Sequence, residues 1–110
     1  MGISAIKTGE NQWEIHTPSI DVCGNALILY VYKLECCLLF TDKGQLYASS
    51  ILCDIPIDDI NIIPRRGKEL IWRIPLDIAD METHVEAYVN LIKQILSMLE
   101  KRYMQKQIQS

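Results

Sequence analysis

Alternation and helical periodicity divide this chain into readable segments. Lys68-Glu69-Leu70-Ile71-Trp72-Arg73-Ile74-Pro75-Leu76 places Leu70, Trp72, Ile74 and Leu76 on one side, with Glu69, Arg73 and Pro75 on the other. That is the pattern of a half-buried strand. From about Asp80 the period becomes helical: Met81, Val85, Tyr88, Ile92, Ile95 and Leu99 recur at steps of three and four, and Val89, Leu91 and Leu96 widen the stripe. Asp77 or Asp80 can cap the start, with Glu82 favourable in the first turn. No Gly or Pro interrupts the helix up to Tyr103. About 24 residues would span roughly 36 Å, enough to cross a small sheet.

Upstream the pattern predicts a meander. Gln12-Trp13-Glu14-Ile15-His16 alternates after a Gly9-Glu10-Asn11 turn, with Ile3 to Lys7 as its hairpin partner, and Thr17-Pro18-Ser19 closes the stretch. Gly24-Asn25 opens the strand Ala26 to Tyr32. A turn near Leu34-Glu35 leads to Cys37-Leu38-Leu39-Phe40-Thr41, with Tyr32 expected opposite Cys37. Asp42-Lys43-Gly44 fits a three-residue hairpin loop, followed by a strand over Gln45 to Ser49 or a helical turn near Ala48-Ser49-Ser50. Pro56, Pro64 and three aspartates make residues 53–66 a loop. Its Ile55, Ile57, Ile60, Ile62 and Ile63 imply that it packs. The expected fold class is α+β: one domain over residues 1–110, with a four- to five-stranded, mainly antiparallel sheet packed against one long C-terminal helix.

The hairpin at 26–41 is apolar on both faces. Leu27, Leu29, Val31, Leu38 and Phe40 lie on one; Ile28, Tyr30, Tyr32, Cys37 and Leu39 lie on the other. A meander with one solvated face should be polar at every second position. One helix covers one side, so the second side needs the 53–66 loop, a second subunit or a client protein. A bare patch of that kind would expose a few hundred Å², near the ceiling for monomers. Ile28, Tyr30, Tyr32, Cys37 and Leu39 are therefore the candidate partner-binding residues, with Tyr30 and Tyr32 as anchors because aromatic side chains dominate interface energetics.

Composition narrows the classes. With 110 residues, 49% of them hydrophobic, the chain can bury a core without staples. A formal net charge of −3, with only Arg65-Arg66-Gly67-Lys68 and Lys101-Arg102 as basic runs, argues against nucleic-acid binding. Residues 1–7 carry neither a long apolar signal stretch nor the Ser or Thr of a myristoylation pattern. No segment approaches about 18 uninterrupted apolar residues, so no membrane span and a cytoplasmic address are expected. In that compartment Cys23, Cys36, Cys37 and Cys53 are expected as thiols, the adjacent pair acting as small buried hydrophobes. Their spacing matches no zinc pattern.

Catalytic candidates are few. His16, Asp21 and the acidic set Asp54, Asp58 and Asp59 form the alternative reading, a small metal-dependent enzyme. His84 falls at the boundary of the helical stripe. There is no phosphate-cradling glycine loop and no nucleophile elbow, so no cofactor and no enzymatic activity are expected. The mild acidity also permits a phage-derived anti-defence or nucleic-acid-mimic protein.

Two stretches carry family likeness. Lys68 to Tyr103, a strand ending Ile74-Pro75-Leu76-Asp77 that leads into a long C-terminal helix, resembles the close of specialised type III secretion chaperones and their bacterial relatives. That resemblance implies a small acidic cytoplasmic α+β domain, commonly a homodimer, that holds an extended client segment on apolar surface. Thr17-Pro18-Ser19-Ile20-Asp21 followed by Leu39-Phe40-Thr41-Asp42-Lys43-Gly44 is similar to an uncharacterised phage and bacterial family with a Thr-Pro element and a Leu-Thr-Asp-x-Gly turn. The main expectation is a non-enzymatic interaction protein of chaperone, immunity or inhibitor type. It would bind a protein partner or a second copy of itself stoichiometrically through its apolar sheet face.

Overall fold

The computed structural model describes residues 4–63, 65–76 and 80–109. Its elements run β1 (Ser4–Gly9), β2 (Gln12–Ile20), β3 (Ala26–Lys33), β4 (Cys37–Thr41), α1 (Gln45–Leu52), β5 (Arg65–Arg66), β6 (Glu69–Pro75) and α2 (Met81–Gln109). The sheet order is β1-β2-β3-β4-β6-β5, and every neighbouring pair is antiparallel. Five strands carry the sheet, and the two-residue β5 caps its far edge. This is the α+β arrangement that the alternation and the C-terminal stripe predict. Ile3, Pro64 and Asp77, named in that reading, lie outside the described residues.

One face of the sheet packs on α2. Ile15, Leu27, Leu29, Val31, Leu38, Phe40, Leu70 and Ile74 are buried against the stripe Val85, Tyr88, Val89, Ile92, Ile95, Leu96 and Leu99. Asp80 starts the helix: its carbonyl accepts the His84 N–H (3.1 Å), and its carboxylate accepts the Thr83 hydroxyl (3.0 Å). The twenty-nine residues of α2 reach about 43 Å at 1.5 Å per residue, close to the molecule's 49 Å length.

Residues 53–63 add Ile55, Ile57, Ile60 and Ile63 to the same core, as their apolar spacing implies. Two cations of α2 fasten this loop. Arg102 donates to both Asp59 carboxylate oxygens (2.9 and 2.8 Å) and to the Pro56 carbonyl, and Lys106 donates to Asp54 Oδ2 and the Cys53 carbonyl. The guanidinium holds the Asp59 carboxyl below its ordinary range, and Arg102 is raised in return. A lowered carboxylate stabilises the fold above its unfolded pKa, near 3.8, and the gain disappears as pH falls through the folded value. Replacing Asp59 with Asn is therefore expected to flatten the acid limb of a urea-midpoint profile below pH 3.8. The effect should shrink in high salt because the pair is exposed.

The structure corrects four expectations. First, of the two alternatives after Gly44 the strand fails and the helical one holds: Gln45–Leu52 is a helix that includes Ala48, Ser49 and Ser50. Gly44 takes the expected positive φ (80°), and so does Lys43 (53°), but the turn feeds α1 instead of a hairpin. Second, β3 and β4 pair two residues out of the expected register, with Tyr32 opposite Leu39 and Lys33 opposite Leu38. The Leu34 N–H donates to the Cys37 carbonyl (2.8 Å), closing a four-residue turn. An even shift leaves every side chain on its assigned face.

Third, β2 continues through Pro18. Pairing with β3 is irregular between His16 and Ile20, so no ladder donor is required there. Thr17 Oγ1 bridges the gap, accepting the Ser19 N–H (3.2 Å) and donating to the Leu27 carbonyl (3.4 Å). Fourth, the adjacent cysteines are not a buried pair: Cys36 is exposed in the turn and Cys37 is half-buried.

Candidate functional site

The face turned away from α2 gathers the residues that the two-sided pattern singled out. Cross-strand pairing sets them in rows. Glu14, Tyr30, Thr41 and Ile71 form one row; Gln12, Tyr32, Leu39 and Arg73 form the next. Ile28 sits opposite His16, and Cys37 opposite Pro75. Ile28, Tyr30, Tyr32, Cys37 and Leu39 are all half-buried here, whereas their neighbours on the core face are buried. The 53–63 loop lies with α2, on the other side of the sheet.

Lys43 belongs to this face, although sequence reasoning saw it only as a turn residue. The left-handed backbone aims its ammonium at Tyr30, 4.0 Å from the ring centroid, and 5.7 Å from that of Tyr32. The Tyr32 hydroxyl, with smaller contributions from Tyr30 and Glu14, raises the Lys43 pKa, so the cation persists across neutral pH. The rim is mixed in sign, with Glu14 and His16 on β2 and Lys43 and Arg73 opposite.

Two further residues set this geometry. Asp42 is 1% exposed, and its carboxylate accepts the N–H groups of Gly44 (2.9 Å), Leu46 (3.2 Å) and Leu70 (3.0 Å). It therefore ties the start of α1 to β6. Burial raises its pKa, and the three amides oppose that rise. Gln45 replaces a strand beside the first residues of β3: it accepts the Ile28 N–H (3.3 Å) and donates to the Ala26 carbonyl (2.9 Å) and the Asp21 carboxylate (2.9 Å). An open depression of about 320 Å³ runs between Ile28, Tyr30 and the Ala48 and Leu52 side of α1. Leu52 is 79% exposed there.

The residues of the metal-enzyme reading are engaged separately. His16 Nε2 contacts Glu14 Oε1 (3.0 Å), and Asp21 holds the N–H groups of Cys23 and Asn25. Asp54 and Asp59 face Lys106 and Arg102. Among the described residues, no three His, Cys, Asp or Glu side chains converge as a metal site. His84 packs its ring edge-on to Trp72 at 6.1 Å, at the margin of the helical stripe. No helix among the described residues is long and apolar enough to cross a membrane. No family model, curated protein or solved structure matches this chain.

Proposed function

We propose that this chain is a non-enzymatic binding protein that occludes a protein partner stoichiometrically through the outer face of β3 and β4. One observation carries the reading. Ile28, Tyr30, Tyr32, Cys37 and Leu39 form a contiguous apolar patch, and α2 and the 53–63 loop both pack on the opposite side. Tyr30 and Tyr32 are the anchors: their rings present large apolar area with a polar tip, and Lys43 is a movable cover that a partner displaces. The mixed rim fits a partner that carries both signs of charge around an apolar centre. A chaperone, immunity or inhibitor role and a cytoplasmic address belong to the same proposal, with a second copy of the chain as the simplest partner.

The test is a pair of measurements. Light scattering on the purified chain is expected to give a dimer mass, and Tyr30→Asp with Tyr32→Asp is expected to return the monomer with an unchanged far-ultraviolet spectrum. Both side chains lie on the sheet face away from α2 and keep partial exposure to solvent, so the double variant should remain folded. A wild-type chain that stays monomeric alone, and that a Tyr30→Asp/Tyr32→Asp column cannot be told from in capture of host proteins, overturns the reading. Unfolding of the double variant would place this face in the core and overturn it too.

A further inference from the structure

We propose that Cys23 and Cys53 form a redox-responsive site, a thiol pair that a small-molecule disulfide oxidises to one intramolecular bond. Cys23 lies in the loop between β2 and β3, and Cys53 is the residue that closes α1. Their sulfurs are 3.5 Å apart, against about 2.05 Å in a disulfide. The backbone on both sides of the pair is held by hydrogen bonds. The loop is pinned by Asp21, which accepts the Cys23 and Asn25 N–H groups, and by the Gly24 N–H on the Asp21 carbonyl (2.9 Å). The Cys53 N–H is held by the Ser49 carbonyl (3.1 Å). Each sulfur also reaches across to the other segment's backbone, Cys23 to the Ser49 carbonyl and Cys53 to that of Val22.

The other thiols are placed too far away to compete. Cys36 and Cys37 follow the end of β3, whereas Cys23 precedes its start. The eight residues of β3 separate them by roughly 26 Å at about 3.3 Å per residue. Cys23 is exposed, so a reagent reaches the pair directly. Its hydrogen bond with Cys53 pushes the Cys23 pKa up, which keeps that thiol protonated at rest and slows its attack on a disulfide.

The exchange balances without any other reactant. One cysteine thiolate attacks a sulfur of the reagent, its S–S bond breaks, and one half leaves as a thiolate. The second cysteine then displaces the other half from the mixed disulfide. Two cysteine thiols are oxidised and one small disulfide is reduced to two thiols. In a reducing compartment such a bond is transient, the usual mark of a redox sensor.

The test uses the reduced full chain and oxidised glutathione, followed by alkylation and peptide mapping. Trypsin separates the sites: residues 8–33 carry Cys23, 34–43 carry Cys36 and Cys37, and 44–65 carry Cys53. Two of the four thiols are expected to disappear, and fragment 8–33 to be joined to 44–65 with no retained glutathione. The cross-link closes a loop between residues 30 positions apart, so the melting midpoint should rise by on the order of 10 °C. Cys23→Ser should abolish the link, and Cys36→Ser with Cys37→Ser should leave it. Four remaining thiols, a persistent glutathione adduct, a link through fragment 34–43, or a lowered midpoint would each overturn the proposal.

Discussion

Tyr88→Ala is expected to cost about 4 kcal/mol of stability, a large share of the ~5–15 kcal/mol that holds a domain together. Tyr88 is completely buried. Its ring stacks on Trp72 (6.0 Å, 16°) and packs against Phe40 at 5.3 Å, so truncation opens a void where α2 meets β4 and β6. Its hydroxyl donates to the Leu70 carbonyl at 2.8 Å, and burial drives the phenol's pKa far above its ordinary value. The group therefore remains a donor throughout the pH range of the fold. Tyr88→Phe keeps the ring and removes only that bond, at about 1–2 kcal/mol. Urea unfolding of both variants checks the ranking. Equal losses would mean that the hydrogen bond, not the packing, fixes α2 on the sheet.

Asp42→Ala is expected to cost about 3–4 kcal/mol, because it orphans three amides that one carboxylate now satisfies. Asn at this position retains one acceptor and should lose less. The comparison also carries a pH signature. The folded pKa of Asp42 lies above the ordinary 3.8, so the native state binds its proton more tightly than the unfolded chain does. Its contribution is therefore full below pH 3.8 and is lost as pH rises through the folded value. The Asn variant has no such titration. Wild-type stability measured relative to it should fall across that window, opposite in direction to the contribution of Asp59. A flat difference would place Asp42 in contact with water rather than under Leu70.

These two residues also show where sequence reading reaches its limit. The strands and α2 were legible because burial alternates with the backbone's own period: Leu27, Leu29 and Val31 point one way, and Val85, Tyr88 and Ile92 recur on one stripe. The candidate patch was legible for the same reason, since side chains at every second position share a face whatever the exact register. Helix α1 was not. Gly44, at its cap position, offers no side chain, and the carboxylate that caps it stands two residues earlier and is held in place by Leu70, 28 residues away. Gln45 likewise has a role only because β4 ends before it can flank the start of β3. The destination of the 53–63 isoleucines was equally hidden, since apolar spacing shows that a loop packs but not on which side. Arg102 and Lys106, a helix away, decide that.

The placement of β6 beside β4 has a kinetic consequence. Strands β1 to β4 are joined by short turns and can pair as they are made, but β6 meets its neighbour only after all of residues 42–68 have been drawn into a closed arc. The sheet is therefore expected to complete from its N-terminal edge, with the Trp13 ladder early and the Trp72 layer late. Chains carrying a single indole at one or the other position would time the two stages separately.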